Sequence, residues 1–158
     1  MDYIQTLFSR GCDAGVVSHC KKVAEAAARY HGASVDDDLV YAGAVMHDIG
    51  RSVTHSIRHA AEGALICTKM GLSDDLVHIV RSHTGAGLSA EEASLLGLLP
   101  EDAVPETLEA KIVAHADNLV KGSREITMCE RMMLIADLPA RSKKNIARLA
   151  FEVELLRE

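Results

Sequence analysis

In Val45-Met46-His47-Asp48-Ile49-Gly50-Arg51 an imidazole and a carboxylate stand side by side, with apolar residues before them and a glycine after. Histidine offers a neutral nitrogen and aspartate an anionic oxygen. Together they suit Zn, Fe or Mn better than Ca. Alone, the pair also fits a helix end with a polar cap. Five of the eight histidines fall between His47 and His83, which concentrates any such chemistry in one part of the chain.

Upstream of the pair, Asp36-Asp37-Asp38 precedes Leu39, Val40, Gly43 and Met46. Acid at a helix start is favourable, so this run predicts a helix beginning there and ending at His47-Asp48 near Gly50. Its spacing does not fit a calcium loop. Further upstream, residues 3–10 predict a short amphipathic helix stopped at Gly11. Val16, Cys20, Val23, Ala24 and Ala27 predict a second helix over 15–31, stopped at Gly32. His31 reads as a dipole partner or surface residue.

Downstream, a loop with Ser52, Thr54 and Ser56 leads to a helix over 57–70, closed by Gly71. Ser73 caps 74–82. Thr84-Gly85-Ala86-Gly87 is a turn, not a phosphate loop of the G-x-x-x-x-G-K type. Ser89-Ala90-Glu91-Glu92 is a capping-box pattern for a short helix ending at Gly97. Pro105 fits the start of the next helix. Leu108, Ile112, Val113, Ala116, Leu119 and Val120 give that helix an apolar stripe up to Gly122. Ser123 or Arg124 opens a further helix to about Asp137, and Pro139 opens the last. No stretch sustains period-two alternation. The expectation is an all-α, single-domain helical bundle of about seven to nine helices over residues 1–158, with its core at about 15–124 and C-terminal helices over 124–157.

Composition agrees. The 158 residues suffice for one buried core, and with 3% aromatics and no Trp that core must be aliphatic. A net charge of −6 argues against a general nucleic-acid-binding surface but leaves room for a small anionic substrate beside a metal. Cys12, Cys20, Cys67 and Cys129 form no C-x-x-C pair; Cys20, Cys67 and Cys129 sit in helix-like stretches and read as buried free thiols. With no basic, apolar leader and no long apolar run, the expected setting is cytoplasmic and away from membranes.

Helical phase tests which polar residues face the core. His19 lies three after Val16 and four before Val23. His59 is in phase with Gly63, Ile66 and Met70, and His83 with Leu76, Ile79 and Val80. Asp117 follows Val113 and precedes Val120. Buried histidine and aspartate are costly unless paired or metal-bound. His78 falls off its stripe and reads as surface. His55 lies in the loop after the pair. His115 and Asp117, two apart, cannot both point inward, and phase does not choose between them.

The order His19, His47-Asp48, Asp117 resembles the HD-domain superfamily of metal-dependent phosphohydrolases over roughly residues 15–124. Ala44-Val45-Met46-His47-Asp48-Ile49-Gly50 matches its signature, and Ala114-His115-Ala116-Asp117-Asn118-Leu119 is similar to its later Asp segment. The resemblance implies that His19, His47, Asp48 and Asp117 bind one metal. A subset of the family adds two histidines for a second ion. His59, in His59-Ala60-Ala61-Glu62-Gly63-Ala64, and His83, in Ser82-His83-Thr84-Gly85, match those positions. This pattern resembles the small bacterial HD-domain hydrolases of diadenosine tetraphosphate. The chain departs from them after Asp117 and in its insertion over 90–105. It lacks the Gly-Tyr-Pro segment of relatives that degrade cyclic-di-GMP.

The resemblance therefore implies an enzyme that hydrolyses a phosphate ester of a small nucleotide through a metal-bridging hydroxide. Asp48 would bridge two divalent transition ions drawn from Fe, Mn, Ni, Co or Zn. Arg51, Lys121 and Arg124 are the candidate phosphate contacts, with Arg51 beside Asp48 in the catalytic set. A single-metal nucleoside 5′-monophosphatase and a non-turning metal- or nucleotide-binding module are the rivals. The expected partner is a phosphate-bearing small molecule, with neither nucleic acid nor membrane.

Overall fold

The structure, a computed structural model, describes residues 1–157. Seven of the helices described begin on a side chain that accepts a backbone N–H of the first turn. These are α1 (Tyr3–Ser9) on Asp2, α2 (Ala14–Ala27) on Asp13, α3 (Asp37–Met46) on Asp36, and α5 (Asp74–Ser82) on Ser73. The others are α6 (Ala90–Leu95) on Ser89, α7 (Leu108–Asn118) on Thr107, and α8 (Met128–Leu134) on Thr127. Such caps are each worth about 1 kcal/mol. The first helix without one is α4 (His59–Lys69), and the second is α9 (Ala140–Glu154), which starts on Pro139. With almost no sheet, the molecule is a single all-helical domain, as its sequence predicts.

The core is aliphatic. Leu7, Cys20, Val23, Met46, Ile49, Ile79 and Ile112 are fully buried, around one large aromatic, Tyr30. α3, α5 and α7 pack on one another, and α3 and α7 also pack on α2. The starts of α3 and α7 lie together, where the Asp36 amide donates to Glu109 Oε1 at 3.0 Å. Their C-terminal ends also lie together, and the chain's polar cluster forms there. Close approach depends on glycine: a methyl group on Gly50 would collide with the His59 carbonyl, so the short 3₁₀ turn Ile49–Ser52 rides directly on α4. On α4, Gly63 receives Gly50, and a Cβ on it would also lie 2.9 Å from Val80.

Several boundaries differ from the sequence expectation. α2 stops at Ala27, because the chain turns so that Tyr30 enters the core and its hydroxyl donates to Glu154 Oε1 at 2.6 Å. α7 begins after Thr107 and not at Pro105, since Thr107 supplies the cap while Pro105 packs against Gly87. The largest difference is at 120–125. Instead of a helix from Ser123 or Arg124, β1 (Val120–Lys121) pairs antiparallel with β2 (Arg124–Glu125). Gly122, at φ +61°, makes the two-residue turn. Helix α8 then waits for the capping box between Thr127 and Glu130. It buries no residue, so Cys129 is exposed and not buried as expected, whereas Cys12, Cys20 and Cys67 are buried free thiols. No described helix is long and apolar enough to cross a membrane.

Candidate metal centre

Six side chains from five elements meet at one point. His47 is the C-cap of α3 and Asp48 follows it. His83 is the C-cap of α5, and Asp117 lies in the last turn of α7. Three helix C-termini thus point negative dipole ends at the cluster, which favours cations. His19 comes from the middle of α2 and His59 from the start of α4.

All four imidazoles are held the same way. Nδ1 faces a backbone carbonyl in each: Gly122 for His19 (2.7 Å), Ala44 for His47 (2.8 Å), Ser56 for His59 (2.8 Å) and Val80 for His83 (2.7 Å). A carbonyl only accepts, so each Nδ1 carries a proton and each Nε2 is turned toward the centre. The Nε2 atoms crowd together. His59 and His83 are 3.1 Å apart, and His19 and His47 are 3.3 Å apart. Lone pairs at such distances repel unless a proton or a cation lies between them.

Asp48 divides the cluster. Its Oδ2 faces His47 (3.7 Å) and His19 (3.8 Å), which also surround Asp117 Oδ1 at 3.6 and 2.9 Å. Its Oδ1 faces His59 (3.3 Å) and His83 (3.5 Å). Oδ1 is buried and accepts no hydrogen bond in the structure. A buried carboxylate oxygen without a donor is costly, and divalent cations among these atoms would satisfy it and the facing lone pairs together. The donor set of imidazole and carboxylate suits transition ions. His19, His47 and Asp117, and separately His47, Asp48 and His83, each bring ligand atoms within 4.8 Å of one another.

Electrostatics follow the same division. Burial pushes Asp48 and Asp117 toward the neutral acid, but the surrounding imidazoles override it, and both are held well below the usual carboxylate range. Burial pushes His19 and His47 down. The carboxylates beside them win, Asp117 foremost for His19 and Asp48 for His47, and both are raised. His59 goes the other way, to about 4, because burial and the neighbouring His83 outweigh Asp48.

The candidate phosphate contacts are less uniform. Arg51 Nε donates to Asp48 Oδ2 at 2.6 Å, its side chain remains 29% exposed, and its other nitrogens have no hydrogen-bond partner among the described residues. Lys121 and Arg124 are exposed on the hairpin, and neither touches the six residues; Arg124 pairs with Glu130 at 3.3 Å. His55 is exposed. His78 is half-buried and accepts from the Glu106 amide at 3.4 Å. His115 is buried on the far side of α7, where it bonds Glu154 Oε1 at 3.0 Å, while Asp117 points into the centre. Two contributors escape sequence reasoning. Gly122 orients His19 through its carbonyl, and the only signal was a Gly-Ser dipeptide between Val120-Lys121 and Arg124-Glu125. Asn118, buried, donates to the carbonyls of Gly85 (2.6 Å) and Ala114 (3.0 Å), fastening the end of α7 to the loop after His83.

The HD domain family matches residues 16–122. An uncharacterised protein of Methanocaldococcus jannaschii is 46% identical over 121 residues, covering 73% of this chain and 72% of that one. A tRNA (cytidine(56)-2′-O)-methyltransferase of Picrophilus torridus is 42% identical over 156 residues, which is 98% of this chain but 44% of the methyltransferase. A ribonuclease Y of Acidothermus cellulolyticus is 30% identical over 90 residues, 56% of this chain and 15% of the ribonuclease. The chain therefore spans less than half the length of both RNA-acting relatives. Among solved structures, the HD domain of the L. monocytogenes phosphodiesterase PgpH shares the fold, with a TM-score of 0.61 at 17% identity over 98% of this chain and 97% of that one. The chain belongs to the HD domain family.

Proposed function

We propose that this chain is a metal-dependent phosphohydrolase that cleaves a phosphate ester of a nucleotide at a dinuclear centre bridged by Asp48. The observation that carries this reading is the division of Asp48: one oxygen faces His19 and His47, which also surround the Asp117 carboxylate, and the other faces His59 and His83. A structural site would close around one ion with four ligands; six nitrogen and oxygen ligands arranged about a shared carboxylate suit two. His19, His47 and Asp117 would hold one ion, His59 and His83 the other, and Asp48 both. Ions of this class (Fe, Mn, Ni, Co or Zn) lower the pKa of water and neutralise charge on phosphoryl oxygens.

The chain's own residues do the rest. Four Nδ1–carbonyl bonds hold the imidazoles with Nε2 inward, the orientation a ligand needs. Asp48 stays ionised. Arg51, anchored by Nε on Asp48, keeps its remaining N–H groups without a hydrogen-bond partner among the described residues, so they can take a phosphoryl oxygen. The floor at His47 and His83 is buried, while His19 and Asp117, at 15% and 21% exposure, form the open lip by which substrate enters. The RNA-acting relatives bring ribonucleotides forward as the substrate class.

The test is a turnover screen of nucleoside monophosphates, dinucleoside polyphosphates, cyclic dinucleotides and short oligoribonucleotides with Mn, Fe or Co supplied. The expected result is hydrolysis abolished by chelation and restored by metal. Full activity in a metal-free sample would overturn the reading. One metal per chain, with turnover confined to nucleoside monophosphates, would favour the single-metal monophosphatase.

A further inference from the structure

We infer that Asn118 is a positioning residue that sets the spacing between the two halves of the centre; this rests on the dinuclear reading above. Each half is held within itself. The His83 ring is fixed by Nδ1 on Val80, a carbonyl of its own helix α5, and Asp117 is held by His19 at 2.9 Å. Neither bond fixes the end of α5 against the end of α7. Two-metal sites work with their ions about 3.5–4 Å apart, so that relation has to be set closely. Asn118 follows Asp117 as the last residue of α7. Its Nδ2 donates back to the Ala114 carbonyl of α7 at 3.0 Å and across to the Gly85 carbonyl, two residues past His83, at 2.6 Å.

Few other bonds fasten the turn after His83. Among the described residues the Gly85 carbonyl accepts no hydrogen bond but that of Asn118. The Thr84 hydroxyl is buried and finds no partner. The Gly87 amide donates to the Thr84 carbonyl at 2.8 Å, which closes the turn on itself and not on α7. Asn118 is also a costly choice for its place. It is buried, and its Oδ1 has no partner. A buried amide with an unbonded oxygen costs stability. A leucine would fill similar space with no oxygen to satisfy. Packing therefore explains this asparagine poorly. The link that its Nδ2 makes explains it well, because that link runs from the Asp117 half of the centre to the His83 half. A displacement of about 1 Å at a reacting centre costs about 10²-fold in rate, so a single clamp between the halves has a large effect.

The experiment loads the full chain with Mn and reads it by electron paramagnetic resonance, with Mn also titrated calorimetrically, so that neither readout needs turnover. Asn118→Leu keeps the bulk and removes the donor. Asn118→Ala covers the case in which leucine does not fit. Leu149→Ala, a core change on α9, controls for loss of stability alone. The parent should show a spin-coupled pair of Mn ions. The Asn118 variants should lose that coupling and bind the second ion about 10–100-fold more weakly, the usual cost of losing a group that orients a ligand. Leu149→Ala should lower the Tm and keep both properties. Intact coupling and an unchanged second-ion affinity in the Asn118 variants would overturn the inference and leave the dinuclear reading standing. An equal loss in Leu149→Ala would also overturn it, since destabilisation would then suffice. A parent that binds one ion and shows no coupling would overturn the dinuclear reading, and the inference with it.

Discussion

The two halves of the centre share one carboxylate and little else. The half on Asp48 Oδ2 is carboxylate-rich: Asp117 joins it, its histidines are raised, and its lip opens to solvent through His19 and Asp117. The half on Oδ1 is imidazole-only. His59 and His83 are 5% and 2% exposed, they face one another at 3.1 Å, and His59 is lowered to about 4. The first half can compensate its own charge with protons. The second has one carboxylate oxygen for two imidazoles, and that oxygen accepts no hydrogen bond in the structure. A cation is therefore needed most where the site is deepest.

The largest expected effect breaks both halves at once. Asp48→Asn keeps the shape and removes the shared charge. Bound metal should fall from two per chain toward none, and turnover by at least about 10³-fold, since the group stabilises charge on both sides. Elemental analysis with kinetics checks this; near-normal metal content would break the bridging assignment. Next in size, Arg51→Ala removes the donor that orients Oδ2. Turnover or metal affinity should drop by about 10–100-fold, the usual cost of losing a group that orients a ligand. Calorimetric titration with Mn reads it, and an unchanged affinity and rate would make Arg51 a bystander.

The smallest effects lie behind the centre, on the other face of α7. Tyr30 and His115 both bond Glu154 Oε1, which ties α9 to the segment after α2 and to α7. Glu154 is half-exposed, so Tyr30→Phe should cost only about 1 kcal/mol by chemical denaturation. A cost near zero would show that this tie contributes nothing to the core. Burial opposes ionisation of Glu154, but its bonds to Tyr30 and His115 prevail and lower it. Its contribution is complete above about pH 4.3 and fades as pH falls through the lowered folded value. His115 is also lowered, by burial first and against Glu154. The unfolded chain thus takes up that proton near pH 6.5, before the folded chain does. The stability difference between the parent and His115→Gln should shift against the parent on going from pH 7.5 to 5.5. A flat difference would contradict the shift.

Much of this was legible in the sequence because helix chemistry is local. Caps at Asp36, Ser73 and Ser89 and the stripes behind His59 and His83 specified their helices and the direction of their side chains. What was not legible depends on distant partners. Nothing near His115 says that it turns to Glu154, thirty-nine residues on, and leaves Asp117 to the centre. The hairpin at Gly122 is two residues a side, too short for alternation to register, yet its carbonyl holds His19. Boundaries failed where tertiary contacts overrode local signals, as at Tyr30 and Pro105. The sharing of Asp48 between two groups of ligands is a matter of geometry, beyond what residue order can express.

Metal counting on three proteins loaded with excess Mn and desalted tests that sharing most directly: the parent, His83→Ala and His78→Ala. Two ions in the parent, one in His83→Ala with turnover reduced by orders of magnitude, and two in His78→Ala are the predicted results. The same metal count in His83→Ala as in the parent would contradict a second site on Asp48 Oδ1.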